Sequence, residues 1–423
     1  MKRPMHLLVV VAVVGLLTSS CSGGSGNDAP GKAPASRTGA QDRTTAPPKD
    51  AAPKTQLSVP SLYDTSRGWE SDLPGDQIPL PHSNAVAVFR QSGANTGTIT
   101  VLDVTSGRRV WRAEVKGPGQ VQAESVSVKG KDYLVTHASG SEGDEVLSKG
   151  RDLTTIDIFP ALAAGDDVKP ARHLALDGEL VVGKAGSGLL VQLDASQVET
   201  VDVATGKTKK YDLHDMKPPP SECKLCFATT KAVAVTPSGL LLDRGGHHWV
   251  PGAWAAGSLT NGDHKVFIAP VQDLLVAQWH DEGAATDTWA VLDPTSGKVR
   301  AEVACEPTRG IVDDNGKGAA LSANGRYLVR SHTAFDLEKK TGFCFEETDR
   351  DKPVQLNGVT DEGIAFGIGV STSVQTDPRV TVDLTTGQAE AADYTVAPFS
   401  DYSGYGLFWD ESTKTMVVYP HAK

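Results

Sequence analysis

The 423 residues carry 41 Lys and Arg against 52 Asp and Glu, a formal net charge of −11. The imbalance is concentrated in residues 57–423, which alone stand near −15, a field that repels nucleic acid and anionic lipid and favours cationic partners. That argues against nucleic-acid binding, and 367 residues without an internal linker are too many for one conventional hydrophobic core.

The chain opens MKRPMHLLVVVAVVGLLTSSCSGG. Lys2 and Arg3 precede an apolar run from Leu7 to Leu17, and small residues then lead to Cys21, the layout of a secretory signal. Eleven apolar residues are too few to span a bilayer as a helix, which needs about 20. A cysteine at that exit, followed by Ser22-Gly23-Gly24, resembles the lipobox of bacterial lipoproteins. The resemblance implies a diacylglyceryl group on Cys21 as the new N-terminus, with two acyl chains, enough for stable anchoring. Thr18 stands where that motif usually has Leu or Val. Residues 1–20 therefore read as signal peptide, and the expected address is the outer face of the cell membrane.

Residues 21–56 are Gly, Ser, Ala, Pro and Thr with scattered charge. Such a stretch cannot bury enough apolar surface to offset its ordering entropy, so a disordered tether is expected, reaching roughly 30–35 Å as a flexible coil.

From residue 57 onward the chain repeats itself. Four strict copies of one phrase stand at Asp103-Val-Thr-Ser-Gly107, Asp202-Val-Ala-Thr-Gly206, Asp293-Pro-Thr-Ser-Gly297 and Asp383-Leu-Thr-Thr-Gly387. Looser copies run Asp157…Gly165 and Asp336…Gly342, and a worn one in LLLDRGGHHW places Asp243 between the second and third strict copies. Seven copies from Asp103 to Asp383 give a step of about 47 residues. Before the phrase comes period-2 alternation, as in Thr98-Ile-Thr-Val-Leu102, the mark of a strand. Asp accepts bonds from amides two or three residues on, and Gly takes the left-handed conformation that reverses the chain. With a further strand pair upstream of each phrase, the unit is four strands, the content of a propeller blade. Helical periodicity is nearly absent, so a βα repeat is excluded. The expected fold is an all-β propeller over residues 57–423, with seven four-stranded blades and eight as the next count. N- and C-terminal strands should share one blade, since an open ring would leave sheet edges exposed. AVAVF, TITVLDV and RRVWRAEV at one end and YGLFWDESTKTMVVYP at the other are the strands expected to do so.

Four cysteines remain after Cys21, and in an exported protein an even count suggests two disulfides with three pairings open. Cys223–Cys226 and Cys305–Cys344 are the favoured pairs. Cys223 and Cys226 form a C-x-x-C, but Pro218-Pro219-Pro220 before it and the strand-like FATTKAVAV after it argue for a loop staple over a redox pair.

Leu102-Asp103…Ser106-Gly107-Arg-Arg-Val-Trp111 resembles the blade signature of the quinoprotein, or PQQ-like, β-propeller superfamily, where Asp ends the third strand and a Trp follows on the outer one. The resemblance covers most of residues 84–420 and implies the fold. That superfamily holds PQQ dehydrogenases and also non-catalytic assembly lipoproteins, so PQQ with calcium is the one cofactor it brings into view. The dehydrogenases carry adjacent cysteines at the cofactor, and this chain has no Cys-Cys pair. The Ala-, Gly-, Val- and Asp-rich makeup fits a lipoprotein of a high-GC Gram-positive bacterium.

Other candidates read as structure. His247-His248 are adjacent, and neighbours on a strand would face opposite ways and rarely share an ion; an exposed inter-blade loop is expected there. Val312–Gly318 fails the EF-hand spacing and reads as a tight turn at Asn315-Gly316. No nucleophile elbow occurs in the folded part and no phosphate loop follows a strand. The seven Trp residues read as blade packing, with Trp249 and Trp254 as candidates for lining a face pocket. The chain is thus expected to be a monomeric, lipid-anchored binding or scaffolding module for an unidentified protein or small ligand, with neither catalytic residues nor metal. A PQQ-type dehydrogenase and a cell-wall glycan-binding or -cleaving protein are the alternatives.

Overall fold

The computed structural model describes residues 51–143, 150–219, 228–259, 266–281, 283–306, 319–347, 352–370 and 377–423. All of them belong to one compact unit, Thr44–Lys423. Cys21, Cys223, Cys226 and the Val312–Gly318 segment lie outside the described residues.

Alternation produces strands wherever one face meets a neighbouring sheet. In Arg109–Lys116 the apolar Trp111, Ala113 and Val115 are buried while Arg112, Glu114 and Lys116 face water. Ala85–Phe89, by contrast, is buried at every position. Such a second strand is covered on both faces and reads as a continuous apolar run.

Seven groups of four strands follow in chain order. The first is Asp76–Leu80, Ala85–Gly93, Thr96–Asp103 and Arg109–Lys116, and the second Val121–Val128, Lys131–Glu142, Arg151–Pro160 and Arg172–Asp177. The third is Val181–Ala185, Gly188–Gln192, Gln197–Val201 and Thr208–Asp212. The fourth is Lys231–Thr236, Gly239–Arg244, His247–Val250 and Trp254–Ala255. The fifth and sixth, Val266–Val271 to Val299–Cys305 and Ala319–Leu321 to Thr341–Cys344, join at one parallel pair, Glu302 with Thr341. The seventh runs from Val354–Val359 to Gln388–Ala391. The last sheet takes Ser400–Tyr402, Tyr405–Asp410 and Thr415–Pro420 from the C-terminal end and Trp69–Ser71 from the other.

The packing closes a ring. Eight core clusters each draw on two successive sheets, from Phe89, Trp111 and Phe159 between the first and second to Phe366, Phe408 and Tyr419 between the seventh and eighth. The remaining cluster sets Leu407 and Val418 of the last sheet against Val86 and Leu102 of the first, and Tyr402 donates its hydroxyl to the Ala85 carbonyl at 2.7 Å.

This is an all-β propeller. Among the described residues it has eight four-stranded units, the second of the two counts the repeat suggested, because the closing sheet carries no copy of the phrase. Closure also divides differently from expectation. AVAVF, TITVLDV and RRVWRAEV have their own inner strand, Asp76–Leu80, and stay together, so the C-terminal end supplies three closing strands and Trp69–Ser71 the fourth. Leu57, Val59 and Tyr63 pack on that junction, and Tyr419 donates its hydroxyl to the Thr55 carbonyl at 3.0 Å.

Candidate functional site

The repeated phrase builds one turn four times. Gly107, Gly206, Gly297 and Gly387 each donate their amide to the carbonyl of the Asp four residues earlier, at 2.7–2.8 Å. The Asp side chains of 202, 293 and 383 accept amides two or three residues on. An outer-strand side chain of the preceding sheet then covers the glycine. Trp69 lies over Gly107, Trp254 over Gly297 and Phe343 over Gly387. The indoles of Trp69 and Trp254 donate to the carbonyls of Val104 and Pro294, each one residue after the turn's Asp, and Trp111 donates to Ala161.

Two copies depart from the expected placement. Asp157 lies inside its strand and pairs with His173 at 2.6 Å, so it starts no turn. Asp243 ends a second strand instead of a third, and its Oδ1 accepts the Gly246 amide at 2.8 Å. Turns after second and third strands fall at opposite ends of an antiparallel sheet, which puts Asp243 on the opposite face of the ring from the D-x-x-x-G turns.

On that face a cavity of about 650 Å³ opens between the fourth and fifth sheets. From the fourth come Lys231, Asp243 and His248; from the fifth, Phe267, Gln278, Trp279, His280 and Asp287. His248 is buried, with Nε2 at 3.9 Å from Asp243 Oδ1 and with Nδ1 lacking a hydrogen-bond partner. Burial lowers its pKa from the usual histidine value, against the pull of Asp243. His280 and Asp287 are cross-strand partners, their Nδ1 and Oδ1 2.9 Å apart, and Gln278 donates to the other Asp287 oxygen at 2.9 Å. Phe267, on the innermost strand, is 39% exposed and lies under the Arg330 guanidinium of the sixth sheet, 5.5 Å from the ring centre. His332, edge-on to Trp289 at 5.3 Å, has its pKa pushed down to about 4 by burial, partly opposed by Asp287.

None of the described lining residues is a serine, threonine or cysteine. The arrangement offers imidazole, amide, ammonium and carboxylate groups around an apolar floor, which suits hydrogen bonding to a polar ligand.

The residues singled out from sequence sit around this cavity more than in it. Trp249 is buried between the third and fourth sheets, and Trp254 covers Gly297 with its indole bonded; neither lines the cavity. Their side chains are needed to join sheets. The expected exposed loop at His247-His248 is a correction: both lie on the strand His247–Val250, and His248 is the buried member. Opposite orientation, as expected of strand neighbours, is what carries His248 inward. Cys305 and Cys344 form a disulfide with Cα atoms 5.7 Å apart. The His280–Asp287 pair escaped notice because only register brings together residues seven apart across a turn.

No protein-family model and no curated protein matches the chain. Among solved structures, it is similar to the β-propeller domain of Cps50 (Swd1) from Myceliophteria thermophila at 10% identity and TM-score 0.35, over 82% of this chain and 98% of that one. BamB of Moraxella catarrhalis is 9% identical with TM-score 0.29, over 83% and 95%. Dipeptidyl peptidase 4 of Porphyromonas gingivalis is 12% identical with TM-score 0.44, over 83% and 58%. Likeness at this level extends to the fold alone, and the class of protein rests on the sheets and seams of this chain itself.

Proposed function

We propose that this chain is a lipid-anchored, extracytoplasmic β-propeller of the PQQ-like type that acts as a non-catalytic binding module. On this reading Cys21 carries the anchor, the following segment is a tether, and the monomeric ring holds a protein or small polar ligand on the face bearing the His248–Asp287 cavity. The supporting observation is that cavity, with its polar groups held in register by strands of two sheets and an exposed Phe267 at its edge. Rigid strands are a better base for a site than loops.

A photo-reactive side chain at position 267 in the membrane-attached protein is expected to capture a discrete partner or ligand. The same group at Leu162, exposed on the turn between the third and outer strands of the second sheet, should not. Equal capture from both positions, or none from either, would overturn the reading. Two further arms test its parts. Cys21→Ala should release the protein into the medium, and PQQ with calcium should leave tryptophan fluorescence unchanged; saturable quenching with dye-linked turnover would favour a dehydrogenase instead.

A further inference from the structure

Where the chain's two ends meet, ionisable side chains from four segments converge. Tyr63 comes from the stretch before the closing strand, Asp401 from the innermost strand of the last sheet, and His421 directly follows Thr415–Pro420. Glu362 lies on the turn between Val354–Val359 and Ile364–Gly369 of the seventh sheet. Asp401 Oδ2 accepts the Tyr63 hydroxyl at 2.9 Å and lies 2.8 Å from His421 Nε2, while His421 Nδ1 lies 3.5 Å from Glu362 Oε1. One donor atom from each of Glu362, Asp401 and His421 lies within 4.8 Å of the other two. A second observation points to a missing ligand. The Asp401 side chain is 2% exposed, yet its Oδ1 is buried without a hydrogen-bond partner. A buried carboxylate oxygen left bare costs free energy that a cation would recover.

We propose that this junction binds one divalent transition cation of the zinc class through His421, Glu362 and Asp401, with Tyr63 positioning Asp401. An imidazole with two carboxylates suits zinc, cobalt or nickel, whereas calcium and magnesium take all-oxygen sets. Tyr63 donates to the Asp401 carboxylate, the kind of second contact that orients a ligating group. Glu362 is about half exposed, which leaves an open side for water or for a donor from outside. The ion would tie the seventh sheet, the eighth sheet and the segments at both ends of the propeller across the closure seam. The site is independent of the cavity reading, lying in different sheets and sharing no residue with it.

The test uses the purified full-length chain, stripped with chelator and titrated with zinc or calcium alone, read by equilibrium dialysis with elemental analysis and by the unfolding midpoint. One zinc per chain is expected, with a raised midpoint, and calcium should do neither. Tyr63→Phe should weaken zinc roughly tenfold or more, as loss of a second contact does. Glu362→Gln should weaken it further, the zinc-induced rise being read against that variant's own metal-free midpoint. His421→Ala should abolish binding; should that variant fail to fold, Glu362→Gln still decides. Zinc whose affinity none of these changes moves belongs elsewhere and overturns the proposal. So does a midpoint indifferent to zinc, which would leave His421 as a simple cationic clamp between two carboxylates.

Discussion

At Gly297 two demands meet in one residue. Its φ of +68° lies in the left-handed region, and a Cβ there would stand 2.5 Å from the Trp254 ring. The conformation alone costs an L-residue about 1–2 kcal/mol, and crowding against a packed indole adds to it. Gly297→Ala should therefore destabilise by about 2–4 kcal/mol in urea unfolding, and Gly107→Ala, under Trp69, should behave alike. An exposed glycine such as Gly130, with nothing within 4 Å, should cost less. His332 makes a pH prediction. Its folded pKa of about 4 lies below the unfolded value of 6.5, so the unfolded chain takes up the proton first. The stability tied to neutral His332 is complete above pH 6.5 and is lost as pH falls from there towards 4, by about 3 kcal/mol in all. His332→Gln should flatten that window, and a slope unchanged by the substitution would assign it to other groups. Sequence displayed the glycines and their turn chemistry openly, but gave no sign that His332 is enclosed, since enclosure depends on Trp289 of another sheet.

At the scale of elements, the joint between the fifth and sixth sheets stands apart. Cys305 ends one outer strand and Cys344 the other, three residues beyond each member of the parallel pair Glu302–Thr341. The bridge closes a loop across a sequence separation of 39, worth up to ~4 kcal/mol in the chain-entropy model. Replacing both cysteines with serine should lower stability by that order and increase amide exchange in Val299–Cys305 and Thr341–Cys344 before other strands. Uniform loss of protection around the ring would mean that the sheets open together. The even cysteine count suggested two bridges and left three pairings open; the strand ends of neighbouring sheets are what bring Cys305 to Cys344. The Trp69 and Trp254 contacts were not legible in sequence, because each indole serves the turn of the following sheet, about forty residues away.

For the whole molecule, three residues close the ring. Trp69–Ser71 pair with Met416–Val418, and Trp69 is almost fully buried. A chain starting at Asp76 should expose the edge of Thr415–Pro420, run as larger species on size exclusion and unfold at lower temperature. A peptide of residues 51–75 added in trans should restore the compact form. A truncated chain as stable and as compact as the intact one would show that the seam contributes little.

What the sequence determined by itself was everything local: strand alternation, the Asp-to-Gly turn and its period, and the need to close a ring, because each depends on neighbours in the chain and on backbone stereochemistry. What only the tertiary structure decided was how far the count ran, which strands crossed the seam, and which side chains faced one another. The final sheet lacks the repeated phrase, so its strands Tyr405–Asp410 and Thr415–Pro420 were legible but not that they belong to an eighth unit. His280 with Asp287, and His421 between Asp401 and Glu362, meet only after strands have found their register and sheets their neighbours. Those contacts depend on the packing of the ring, in which residues hundreds of positions apart become adjacent.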